Sequence, residues 1–256
     1  MSEALLSEWG PHDVLTLTLN RPERLNALDP ELLTELAEAL RADAERASTI
    51  VLRGAGSAAF SSGYDLSRLT GTAEDLEADL FIGEAASALR ACPAPVIARL
   101  QGHCHGAAVE LALNCDLRVA ADDLRLSVPA VSLGVVYRFQ FVARLVQICG
   151  LARASDLLLA MPELDAKRAA EWGLVTEVVP ASKIDERVAA LAEKLATSPR
   201  PAVYGTKASL NLLARRGIAG EDLLQAQQLR VDAARSPERH EAVARRKQSV
   251  SRRKTR

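Results

Sequence analysis

Apart from the cysteine thiol, Glu110 is the only ionisable side chain in the stretch from Gly106 to Cys115, GAAVELALNC. A carboxylate on so apolar a helix is costly to desolvate unless something offsets it. The turn before it offers one kind of offset, because backbone N–H groups at a helix N-terminus favour an oxygen bearing negative charge. Ala107 lies in that first turn and Glu110 three residues later, on roughly the same face. A second small-residue loop, SSGYD at 61–65, also leads from a strand toward a helix. If the fold joins the two loops, the N–H groups of Tyr64 and Ala107 converge on one carbonyl oxygen. Each donor in such an oxyanion hole contributes about 3 kcal/mol to the transition state. The plainer reading is two ordinary tight turns, and spacing alone leaves both open.

The elements that must position these loops are readable from periodicity. Residues 14–19, VLTLTL, alternate as a half-buried strand. Asp29-Pro30 reads as an N-cap with proline at the first helical position, and Leu32, Leu33, Leu36, Ala39 and Leu40 follow at helical spacing. Residues 49–52, 96–100, 117–120 and 126–128 read as short buried strands, and 74–91 as a helix ended by Pro93 and Pro95. From residue 139 the pattern is helical almost throughout (139–148, 153–159, 166–172, 182–196, 201–214, 221–234 and 237–247), with one strand at 174–178. No internal repeat is visible in the sequence. Strands and helices first and helices last give an α/β core with a helical C-terminal region.

The chain has 256 residues, 48% of them hydrophobic, and a formal net charge of −1. Residues 245–256 carry seven basic and no acidic side chains, which leaves −8 on the remainder. The body is mildly acidic, so no nucleic-acid partner is expected, and the tail reads as a solvated end. The four cysteines show no CxxC spacing, which argues against a disulfide framework or zinc site and favours a reducing compartment. No signal peptide and no membrane-length apolar window is read, so a cytoplasmic location without membrane contact is expected.

The order of RPERLNAL, AFSSGYDL, PVIARLQGHCHGAAVELALNCDLRVA and EWGLVTEVV resembles the crotonase superfamily, the enoyl-CoA hydratase/isomerase family, over nearly the whole chain. The resemblance implies a crotonase-like spiral of ββα units over 1–195 and a helical C-terminal trimerisation region over 196–256. It also implies a homotrimer or dimer of trimers and an acyl-CoA thioester substrate, with no cofactor beyond the coenzyme A that the substrate carries. It places the oxyanion donors at Tyr64 and Ala107, provided Ala107 does not need φ > 0. The CoA contacts it implies are Arg24, Leu25, Ala27, Ser62, Tyr64, Asp65, Leu66, Arg68 and, from the tail, Arg245. Solvated surface charge is the plainer reading for the arginines, and capping of a short helix for Asp65.

Glu110 matches the first of two glutamates that hydratases of the family use to activate water. At the position of the second this chain has Ala130. Ordinary hydration is therefore not expected. The run LGVVY is similar to the methylmalonyl-CoA decarboxylase branch, in which a tyrosine falls at the position of Tyr137, although that branch often carries histidine where this chain has Tyr64. Decarboxylation needs no water-activating pair, and Tyr137 is either an orienting hydroxyl or a packed wall. The leading reading is an acyl-CoA lyase acting through a thioester enolate, by decarboxylation or an atypical hydration. An enoyl-CoA isomerase using Glu110 alone and a non-catalytic acyl-CoA-binding protein are the alternatives. The HCH run at 103–105 lacks further ligands at metal spacing, so no metal is expected, though His105 immediately precedes Gly106 and is a candidate to approach the acyl pocket.

Overall fold

The computed structural model describes residues 3–214 and, beyond them, 224, 227–228, 231–232, 234–236, 239–241, 243–245 and 247–248. Of the basic tail, only Arg245, Lys247 and Gln248 are among the described residues.

Two sheets and a set of helices make the body. The strands are β1 (Leu5–Trp9), β2 (Val14–Leu19), β3 (Thr49–Gly54), β4 (Ala59–Ser61), β5 (Val96–Leu100), β6 (His103–His105), β7 (Leu117–Ala121), β8 (Arg125–Ser127), β9 (Leu164–Asp165) and β10 (Glu177–Val179). The helices are α1 (Pro30–Ala42), α2 (Ala78–Ala91), α3 (Ala107–Asn114), α4 (Phe139–Ser155), α5 (Ala166–Glu171), α6 (Ile184–Ala196) and α7 (Arg200–Ala214). The six-stranded sheet runs β1-β2-β3-β5-β7-β10 and the four-stranded sheet β4-β6-β8-β9. In β3-β4-α2, β5-β6-α3 and β7-β8-α4 the first strand joins the larger sheet and the second the smaller, and a helix then leads to the next turn. These are the turns of a ββα spiral, with parallel pairing between successive turns in both sheets. The spiral that the resemblance implies is therefore present, although the repeat is invisible in the sequence.

Local chemistry accounts for the elements. The Asp29 carboxylate accepts from Leu32 N at 3.0 Å and Pro30 occupies the first turn, so α1 starts where a cap and a fixed φ coincide. Its buried stripe is Leu32, Leu33, Leu36, Ala37 and Leu40. Ala37 therefore takes the buried place expected of Ala39, which is half-buried. Every residue of β5 is buried, because the larger sheet is covered on both faces. Leu17, Leu19, Ile50 and Leu52 face the main core with α1 and α2, while Val51, Ile97 and Val119 meet Ile184, Val188 and Ala192 of α6.

The 95–116 stretch holds two strands before its helix rather than one. The break is Gly102, at φ +53, where a Cβ would lie 2.0 Å from Ala58 O. Only glycine permits that approach, and it lets β6 begin beside β4. The three-residue strands β4 and β6 were not expected, since neither is long enough to show alternation. The two-residue β9 was equally invisible, and the sequence pattern did not reveal β1.

Helix α7 is fastened to the body by polar groups. Lys207 Nζ is buried and meets Ala94 O at 2.9 Å, Leu89 O at 3.2 Å and Asp116 Oδ2 at 2.7 Å. Asn211 Nδ2 donates to Arg90 O at 2.8 Å.

Candidate functional site

The two small-residue loops do meet. A Cβ on Gly63, which sits at φ +88, would lie 2.4 Å from His105 O and 3.4 Å from Ala107 N. The backbones thus touch at a distance that only a residue without a side chain allows. Hydrogen bonds fix the direction of the Tyr64 N–H. Leu28 N donates to Gly63 O and Asp65 N to Leu28 O, both at 2.8 Å, which is a parallel bridge centred on Leu28 and Tyr64. In that pattern Tyr64's own N–H points to the other side. Ala107 opens α3, so its N–H has no intrahelical acceptor. Its φ is not positive, and the strained position is Gly106, at φ 58 and ψ −119. The condition attached to alanine at this position is therefore met.

A cavity of about 200 Å³ lies against these loops. Its walls include Tyr64 and Leu66, His105 to Ala107, Ile82 of α2, Ala130, and Leu133 to Tyr137, with Ala234 and Arg239 from the C-terminal region. Ala130, with a methyl for a side chain, also lines this space. Tyr137 packs on Phe141 with ring centroids 4.7 Å apart, and its hydroxyl lies 3.3 Å from where a Gly106 Cβ would be. Burial and the nearby Glu110 charge raise the Tyr137 pKa well above that of an ordinary phenol, so it is a proton-bearing hydroxyl at neutral pH.

Glu110 occupies a different position from the others. It is 1% exposed and does not line the cavity. Its Oε1 accepts from Arg138 Nη2, and the Arg138 side chain is itself only 13% exposed. Gly83 of α2 makes room for that guanidinium, since a Cβ there would lie 2.5 Å from Arg138 Nη1. Burial raises the Glu110 pKa, with Arg138 and Arg90 pulling the other way. Arg138 is thus the main offset for the carboxylate that the sequence left unexplained. The signal was available, because Arg138 is the one cation in the bulky run 135–141.

Of the remaining expected contacts Ser62 and Leu66 line the cavity, whereas Arg24, Leu25, Ala27, Asp65, Arg68 and Arg245 do not. Ser62 N donates to Leu25 O at 2.9 Å and Ser62 Oγ to Arg24 O at 3.3 Å, which lays the 21–28 turn along the Tyr64 loop. Leu25 is partly exposed and Ala27 is buried. Asp65 accepts from Ser67 N at 3.1 Å, capping a short 3-10 turn, and takes Arg24 at 3.0 Å and Arg21 at 3.2 Å. Burial alone would raise its pKa, but the bonds from Ser67 and Arg24 and the charge of Arg21 hold it below the usual carboxylate range. Arg68 pairs with Glu31 at 3.4 Å on the surface. Arg245 is exposed and helical and does not line the cavity. His105 lines the cavity, with Nδ1 3.2 Å from Ser127 Oγ and Nε2 3.2 Å from His103 Nδ1. Among the described residues no three His, Cys, Asp or Glu side chains are grouped to hold a metal ion. Nor, among them, is any helix long and apolar enough to cross a membrane.

Arg21 and Asn26 were missed by the sequence reading, although both lie in RPERLNAL. Asn26 is fully buried at φ 54 and makes three bonds: Nδ2 to Ala55 O at 3.0 Å and to Ala59 O at 2.9 Å, and Oδ1 from Arg21 N at 3.0 Å. Asn26→Ala strands these partners and places alanine in the left-handed region. We expect a loss of about 2–4 kcal/mol in urea unfolding, and a change below 0.5 kcal/mol would contradict this role.

A family model described as enoyl-CoA hydratase/isomerase matches residues 10–247. The 2,3-dehydroadipyl-CoA hydratase of Escherichia coli (strain K12) is 33% identical over 250 residues, 95% of each chain. The 1,2-epoxyphenylacetyl-CoA isomerase of the same organism is 37% identical over 195 residues, covering 73% of this chain and 74% of the relative. A solved methylmalonyl-CoA decarboxylase in complex with 2-nitronate-propionyl-CoA superposes with a TM-score of 0.88 over 95% of each chain. At 22% identity that likeness shows the fold alone.

Proposed function

The chain belongs to the enoyl-CoA hydratase/isomerase family, and from that premise we propose that it is a lyase decarboxylating a 2-carboxyacyl-CoA through a thioester enolate. Family membership makes it a CoA-thioester enzyme, while relatives named for hydration and for isomerisation leave the reaction to be argued from the site. The observation that carries the proposal is the state of the carboxylates. Glu110 is buried, paired with Arg138 and outside the cavity lining, and Ala130 stands where the resemblance places a second one; among the described residues the carboxylates that line the cavity are Asp75, paired with Arg239, and Asp79.

In this reading the bond from Cα to the carboxylate breaks and CO2 leaves. The electron pair passes into the thioester, whose oxygen becomes an enolate held by Tyr64 N–H and Ala107 N–H. A proton then adds at Cα. Tyr137, kept as a phenol beside Gly106, orients the leaving carboxylate, and water or Tyr137 itself supplies the proton. Such a route needs an acid near the hole. Assembly as a homotrimer or dimer of trimers is part of the proposal. It is supported by exposed Leu210, Leu212 and Leu224 in the C-terminal region, and light scattering tests it.

The test is turnover of methylmalonyl-CoA, crotonyl-CoA and a 3-enoyl-CoA under one set of conditions, following CO2 and enoyl-thioester absorbance. The expected result is CO2 release from the first and negligible hydration of the second. Crotonyl-CoA hydration at ordinary family rates would overturn the proposal. Tyr137→Phe should cut kcat for CO2 release roughly tenfold to a hundredfold, the value of a hydrogen bond to a charged group. An unchanged kcat would leave Tyr137 as packing only.

A further inference from the structure

Three walls of the cavity come from segments far apart in sequence, and one ion pair ties them together. The first carries Leu69 and Leu76, the second Leu133 to Tyr137, and the third Ala234 and Arg239. Arg239 Nη2 donates to Asp75 Oδ2 at 2.6 Å, with both side chains 4% exposed. Asp75 in turn accepts from Thr70 N at 2.7 Å, Thr70 Oγ1 at 2.9 Å and Gly71 N at 2.9 Å, which fixes the turn between Leu69 and Leu76. Arg239 also packs on the second wall, since a Cβ on Gly134 would lie 2.9 Å from both its Cα and its Cβ. A second fastening joins the first and third walls. Lys247 Nζ donates to Leu69 O, and a Cβ on Gly71 would lie 3.3 Å from His240 Cα.

We infer that Arg239 is a positioning residue that, clasped to Asp75, holds these walls at a fixed separation and so restricts the enzyme to small acyl groups. The inference rests on the acyl-CoA reading above and adds the size of the acyl group. A buried ion pair contributes little net stability beside apolar side chains of equal volume, but it specifies one geometry. Here the geometry it specifies is the width of the cavity, because its partners belong to opposing walls. The space so bounded is about 200 Å³. A cavity of about 150 Å³ takes benzene, so this one takes an acyl group of about eight non-hydrogen atoms. A methylmalonyl or hexanoyl group, at about seven, fits, whereas a decanoyl group, at about eleven, must part the walls.

Calorimetric binding of saturated acyl-CoAs to the full chain tests this without turnover, since they carry no carboxylate to lose. Hexanoyl-CoA should bind the wild-type chain about tenfold or more tightly than decanoyl-CoA. Arg239→Met should bring the two within about twofold, chiefly by tightening decanoyl-CoA. Tighter binding of one ligand is a change that general loosening of the fold does not produce. Arg239→Lys, which keeps a charge for Asp75, should retain most of the preference. In case a lone Asp75 unfolds the single variant, Asp75→Asn with Arg239→Met removes both charges and should lose the preference equally. A wild-type chain that binds decanoyl-CoA as tightly as hexanoyl-CoA overturns the inference, as does a preference that survives in Arg239→Met or in the double variant. Unfolding of both variants would overturn it too, by making the pair an element of stability. Binding of neither thioester overturns the acyl-CoA reading itself, which is a different outcome from equal binding of both.

Discussion

Gly63→Ala is expected to lower kcat/KM roughly a thousandfold. Gly63 stands at φ +88, and an added Cβ would lie 2.4 Å from His105 O. Neither the angle nor the distance is tolerable for alanine, so the Tyr64 loop must move away from the His105–Ala107 backbone. In the proposed mechanism that movement separates the Tyr64 and Ala107 N–H groups, and a donor aimed at a developing oxyanion contributes about 3 kcal/mol. The loss should fall on kcat more than on KM, because the hole acts on the transition state. Circular dichroism should show helix content retained. Wild-type kcat/KM in a folded variant would mean that the two loops do not form a hole.

Arg138→Met should destabilise the fold by roughly 3–5 kcal/mol at neutral pH, because it leaves the buried Glu110 carboxyl without its ion pair, to stay charged at that cost or to take up a proton. The pH dependence is the sharper signature. Burial already raises the Glu110 pKa above its ordinary value of 4.5, and Arg138 is the first of the groups opposing that shift. Without Arg138 the folded pKa rises further. The folded protein then keeps a proton that the unfolded chain releases, so unfolding becomes easier as pH increases. The variant's deficit should be smallest below the ordinary pKa of Glu110 and grow as pH climbs through the folded pKa. Urea unfolding at pH 5 and pH 8 measures it. A deficit equal at both pH values would show that Arg138 contributes packing rather than charge. Adding Glu110→Gln to Arg138→Met should remove the pH dependence and restore most of the loss.

These residues also show where the sequence was informative. Asp29-Pro30, the leucine spacing of α1 and the apolar runs of β3, β5 and β7 are local signals, and the structure follows them closely. The two hole loops were readable as small-residue turns, and the family resemblance joined them. Contact between Gly63 and His105 O is a tertiary fact that no local pattern carries. The ββα repeat was hidden because two of its second strands, β4 and β6, have three residues each, too few for periodicity, so that only β8 was read, at 126–128. Glu110 was recognised as a carboxylate needing an offset, but its partner lies 28 residues away across a turn. The pairing of Asp75 with Arg239 spans 164 residues and was beyond any reading of spacing.

The central claim is that an enolate forms in the Tyr64–Ala107 hole by loss of CO2, with no water added across a double bond. Mass spectrometry of the thioester product after turnover of methylmalonyl-CoA in D2O tests it most directly. One deuterium at Cα for each CO2 released, with no hydroxyacyl-CoA formed from crotonyl-CoA in the same buffer, is the result expected. Hydroxyacyl-CoA accumulating from crotonyl-CoA while methylmalonyl-CoA stays intact would contradict it.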